Sequence, residues 1–169
     1  SGAMANHLVS STVFAGIGAG GRANANSVTI GADNLSHKFW LGAGTVAQDA
    51  AMNPDNAGWN INSGSGGLID LPAGSSKTHI THATTASVGE DAVVHVLMPS
   101  VGNGIFNMDA YNEVIAHDKA KLDSGGAVAV AKAVSHVFVD SAAASVVFGP
   151  NAQVVSDVGN INAGARSRV

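Results

Sequence analysis

The sequence predicts an all-β fold in which strands stack as successive turns of a β-solenoid. Three observations carry this reading. An apolar motif anchored on Val28, Val88, Val114 and Val146 returns at spacings near 30 residues, the first gap being twice the others, where a copy near Trp59 to Leu68 reads as degenerate or overwritten by an insertion; a fixed period of that length marks a stacked-repeat architecture. The composition suits strands with frequent corners: of 169 residues 46% are hydrophobic, mostly Ala and Val, and 21 are Gly. Only 12% are charged, about half the usual share, and Leu, Glu, Lys and Arg are too thin for a helical bundle. Third, the strand candidates are short and divided by Gly, Asn or Asp. The competing architecture is a two-sheet sandwich.

Ser1-Gly2-Ala3-Met4 reads as a remnant of cleavage and cloning and is set aside, leaving residues 5–169 as a single domain cut from a larger protein. Leu8 to Phe14 is the first strand candidate and Ser27 to Ile30 the second, with Val28 and Ile30 on one face. Between them, Gly16-Ile17-Gly18-Ala19-Gly20-Gly21 reads as a glycine-rich corner. Residues 37–76 break the pattern and read as an irregular insertion or degenerate turn of the stack. Ala47 to Met52 has the composition of a short helix there, and Asn60-Ile61-Asn62 and Leu68 to Leu71 are strand pieces. Regularity resumes at Thr78 to His82 and Val93 to Leu97. It continues through Ala127 to Val130, His136 to Asp140, Ser145 to Phe148, Gln153 to Ser156 and Asn160 to Asn162. A shift of about 32 residues lays Val114 on Val146 and Leu122 on Val154, the apolar coincidence a stacked repeat requires.

Several functions are excluded. The net charge is −4 and no basic patch is present, so nucleic acid is not an expected partner. No apolar run reaches the length of a membrane span, and insertion is not expected. There is no cysteine, which fits a large exported bacterial protein. The glycine run lacks the helix and acidic residue of a dinucleotide fingerprint and the lysine of a phosphate loop.

His79, His82 and His95 invite a metal reading. On a strand, however, the first two point to opposite faces, and no carboxylate sits at a ligand spacing beside them. Surface histidines are the expectation, with no metal and no cofactor. No nucleophile elbow occurs, and Asp118, Lys119, Lys121 and Asp123 read as a solvated corner. Trp40 and Trp59, both in the irregular stretch, are the candidate ligand-binding residues, because indole faces suit sugars or apolar partners.

Asp109 to Val114, Ala120 to Ala131, Ser145 to Ala152 and Gly159-Asn160-Ile161-Asn162-Ala163 together resemble the repeat region of very large bacterial exoproteins. These are the filamentous-haemagglutinin-like and leukotoxin-type adhesins. The resemblance covers about 60 residues well, and Ser27 to Leu35 and Ala86 to Val94 more weakly, within a stacked-repeat reading. It implies a right-handed parallel β-helix, export through an outer-membrane partner, and an extracellular or outer-surface location. The implied role is attachment to a host or bacterial surface receptor or glycan, without catalysis. The alternatives from other classes are a polysaccharide-active β-helix enzyme and a carbohydrate-binding module built on Trp40 and Trp59.

Overall fold

A computed structural model of the chain describes residues 2–38, 61–65, 67–98, 104–116, 120–157 and 159–169. Among them the regular structure is entirely β. In chain order the strands are β1 (Gly2–Ile17), β2 (Arg22–Ala25), β3 (Ser27–Lys38), β4 (Ile61–Ser65), β5 (Ile69–Asp70), β6 (Ala73–Val88) and β7 (Val93–Val96). Then come β8 (Gly104–Ala116), β9 (Ala120–Ser124), β10 (Val128–Ala129), β11 (Lys132–Phe148), β12 (Gln153–Ser156) and β13 (Gly159–Arg168). Gly2 to Met4, set aside in the sequence reading, belong to β1 and pair with Ala73 to Ser75.

Every pairing among the described residues is parallel. Three sheets hold three strands each, ordered β1-β6-β11, β2-β7-β12 and β3-β8-β13; β4 pairs with β9 and β5 with β10. The chain therefore makes three passes over one track. The first layer is β1, β2 and β3, the second β6, β7 and β8, the third β11, β12 and β13. Strands β4 and β5 lead into the second layer, and β9 and β10 into the third.

The return distance corrects the spacing read from the sequence. Gly2 pairs with Ala73, a step of 71 residues, and Ala73 with Lys132, a step of 59. Two of the four motif copies are true neighbours: Ala86 pairs with Val146 and Val88 with Phe148. The other two belong to a different sheet, where Val28 pairs with Phe106 and Val114 with Ser36. One pass contains two long strands with the same alternation of small and apolar residues, so half a pass imitates a whole repeat. The strands are also longer than expected: β1 and β6 have 16 residues and β8 has 13. Interior Ser, Thr, His and Asn continue the alternation where the sequence suggested breaks. Part of the expected irregular stretch, residues 61–65, 69–70 and 73–76, lies in these paired strands. The Ala47 to Met52 segment falls outside the described residues.

The long strands of the two principal sheets face one another, and alternate residues point inward. Near the first corner the interior is apolar: Ala86, Val88, Val94, Val96, Phe106, Met108, Ala110, Ile30 and Ala32 form one buried cluster. Farther along β6 it becomes mostly polar, with Ser76, Thr78, His82 and Thr84 buried, Ile80 among them, and Asn34 and Asn112 opposite. Each layer spans this polar zone with a hydrogen bond. Ser11 Oγ donates to Asn34 Oδ1 at 3.0 Å. His82 Nδ1 meets Asn112 Oδ1 at 2.9 Å. Ser167 Oγ donates to the Ala142 carbonyl at 2.7 Å.

The corner after the first long strand repeats in all three layers as Gly18-Ala19-Gly20-Gly21, Gly89-Glu90-Asp91-Ala92 and Gly149-Pro150-Asn151-Ala152. The third residue is left-handed each time: φ is 66° at Gly20, 55° at Asp91 and 57° at Asn151. Glycine and Asp/Asn are the residues that enter this region at least cost. The leading glycine serves close approach instead. A Cβ on Gly89 would lie 2.6 Å from Ala19 N, and one on Gly149 2.5 Å from Glu90 N.

Candidate ligand-binding face

The outer face of the β1-β6-β11 sheet is a regular grid of side chains, because its strands run in register for their whole length apart from one irregularity. Val139 pairs with Ile80 and Ser141 with Thr81, which leaves Asp140 as an extra residue in a β-bulge. Bulges of this kind re-aim a side chain. Here the Asp140 carboxylate reaches His79 Nδ1 at 3.0 and 3.3 Å. The Phe138 ring stacks on His79 with centroids 4.7 Å apart and planes at 16°. His136 stacks on Phe138 at 5.7 Å and 26°. Leu8 continues the His79–Phe138 column into β1 and is 80% exposed. Outward Thr81, Thr85, Ser141 and Ser145 extend the grid, and Thr85 Oγ1 lies 3.1 Å from Ser145 Oγ.

Three rings in a short row, a carboxylate at their edge and a field of hydroxyls can serve a sugar. Ring faces take its C–H surface, and the carboxylate and hydroxyls take its OH groups. The same contacts also join the second layer to the third. His95 and Asp157 repeat that device, with Nε2 and Oδ1 2.6 Å apart.

The opposite outer face carries a different cluster. Arg166 donates to Asp109 at 3.2 Å and lies 5.5 Å from the Tyr111 ring centre. Arg168 donates to Glu113 at 3.5 Å. The Tyr111 hydroxyl donates to Glu113 Oε2. That bond first, then burial and the Glu113 charge, hold the Tyr111 pKa above its ordinary value against the opposing Arg168. These exposed pairs stabilise by at most about 1 kcal/mol each.

The sequence placed His79 and His82 on opposite faces of a strand, and they lie so on β6. His82 is not the surface residue expected: the alternation turns it inward, where it is fully buried. The carboxylates beside His79 and His95 were missed because they come 61 and 62 residues later. Only the layer spacing reveals such partners. Trp40, Trp59, Asp118 and Lys119 lie outside the described residues, whereas Lys121 and Asp123, expected in a corner, belong instead to strand β9, paired with Asn62 and Gly64. Among the described residues no group of three or more His, Asp or Glu is arranged to hold a metal ion.

Comparison with protein-family models, curated proteins and solved structures gives no match.

Proposed function

We propose that the chain is part of a right-handed parallel β-solenoid that serves as a structural and adhesive module of a large secreted or surface-exposed bacterial protein. The carrying observation is the stacking of three layers in parallel register, with chemically matched corners at Gly18, Gly89 and Gly149. Handedness follows from the strong preference of parallel crossovers for the right-handed sense. Such a stack is a stiff spacer, and its in-register outer sheet is a platform. The His79–Phe138–His136 row with Asp140 is the part of that platform suited to a surface glycan.

The test is binding of the folded protein to a glycan panel and to cells. Retention that falls at least tenfold in Phe138→Ala, with an unchanged thermal melt, supports the reading. Folded wild-type protein that is retained on neither overturns the adhesive role. Turnover of an anionic polysaccharide would favour the β-helix enzyme instead. Binding lost in Trp40→Ala or Trp59→Ala but kept in Phe138→Ala would move recognition to the tryptophans.

A further inference from the structure

We infer that the sugar held on the β1-β6-β11 platform is an acidic one, with its ring on Phe138 and its carboxylate on the column Asn6–Lys77–His136. The inference rests on the platform reading above and names the chemical class of the ligand.

Charge gives the first indication. The chain carries 12 acidic side chains against 8 lysines and arginines, for a net charge of −4. Strands β1, β6 and β11 nevertheless hold a single carboxylate, Asp140, and two lysines, Lys77 and Lys132. All other acidic residues lie outside these three strands. Asp140 is itself held against His79 Nδ1 at 3.0 Å. An acidic molecule thus presents one sheet from which carboxylates are almost cleared.

Register gives the second. Asn6 and His136 both pair with Lys77, and all three side chains are exposed. An amide, an ammonium and an imidazole can each donate an N–H. The column therefore offers a carboxylate three donors and no competing acceptor charge. Among the described residues Lys77 has no ion-pair partner.

Spacing gives the third. The next outward column along the strands is Leu8–His79–Phe138. Two residues of strand advance about 7 Å, so a ring lying on Phe138 brings its own carboxylate substituent to Lys77. His136 stacks on Phe138 and so sets the donor column against the ring face. Beyond Phe138, Asp140, Thr81 and Ser141 are left for the sugar hydroxyls. Outward side chains stay outward in a stack of any length, so this site does not depend on the open faces of the first and third layers.

The test uses beads carrying polygalacturonate, alginate or polysialic acid, each beside its uncharged methyl-esterified form. Retention of the folded protein on at least one acidic polymer, at least tenfold weaker on its ester, is expected. Equal retention on acid and ester, lost in Phe138→Ala, leaves the platform reading standing and overturns the acidic class. Retention on none of the acidic polymers overturns the acidic class as well, while neutral glycans still test the platform. Lys77→Ala should cut retention at least tenfold with an unchanged thermal melt, and Lys77→Arg should keep it; an unchanged Lys77→Ala overturns the assigned column. The net charge repels anions at long range, so binding has to come from local contacts. Arg166→Gln, which removes the same charge from the opposite outer face, should leave retention unchanged. A loss there equal to that of Lys77→Ala would mean attraction to charge in general and would overturn the site.

Discussion

His82 and Asn112 meet across the interior of the second layer, Nδ1 to Oδ1 at 2.9 Å, with both side chains fully buried. The amide oxygen only accepts, so the imidazole Nδ1–H donates. The remaining polar atoms of the pair, His82 Nε2 and Asn112 Nδ2, have no hydrogen-bond partner. Asn112→Ala strands a buried donor and should destabilise the fold by about 1–3 kcal/mol. The double change His82→Leu with Asn112→Leu removes the polar demand and should be milder than the single alanine change by about 1 kcal/mol. Urea unfolding of the variants measures this, and additive effects would show that the two residues do not act as a pair.

The corners predict opposite outcomes for one substitution at equivalent places. Gly149→Ala forces a Cβ onto Glu90 N at 2.5 Å and should destabilise by about 2 kcal/mol or more. Gly18→Ala meets open space and should change the melting temperature little. Asn151→Val puts a β-branched residue at φ 57° and should cost about 1–2 kcal/mol. Thermal melts of the three variants read this directly.

Tyr111 is the only tyrosine in the chain, so absorbance at high pH reports it alone. Its midpoint should lie above 10.0, chiefly because its hydroxyl donates to Glu113. Glu113→Gln should lower the midpoint. The sign for stability follows: the folded chain holds this proton more tightly than the unfolded one. The contribution is therefore full below the unfolded value and is lost as pH rises through the folded value. A midpoint that does not move in Glu113→Gln would contradict the assigned cause.

Asp140 is extra to the ladder, since Val139 and Ser141 pair with the consecutive residues Ile80 and Thr81. Deleting Asp140 should leave the fold intact, with a stability change within about 1 kcal/mol, because the ion pair it forms with His79 is exposed. Glycan retention should fall. A deletion that unfolds the chain would show that the bulge holds the sheet together.

How much was readable without coordinates depends on the range of each signal. Val88-Gly89-Glu90-Asp91 and Phe148-Gly149-Pro150-Asn151 match as local strings, and the structure stacks them. The corner was readable at Gly18 to Gly21 because glycine marks backbone geometry, but Gly16 and Ile17, read as part of it, belong to β1 and pair with Ser87 and Val88. The pass length was not readable, because the next long strand, β8, alternates as β6 does and so resembles its neighbour in the stack. Inward Ser76, Thr78 and His82 hid the length of β6, since polar residues on a core face read as interruptions. The His79–Asp140 pair depends on a register that local pattern does not carry.

The chain returns to its own track after 71 residues and then after 59, in parallel register, as stacked repeats do. Thr85 and Ser145 test it most directly: their hydroxyl oxygens lie 3.1 Å apart in adjacent layers. In the Thr85→Cys/Ser145→Cys protein, mild oxidation of the folded monomer should close an intramolecular disulfide almost completely. Two thiols that stay free in the folded monomer under the same oxidation would contradict the layer register.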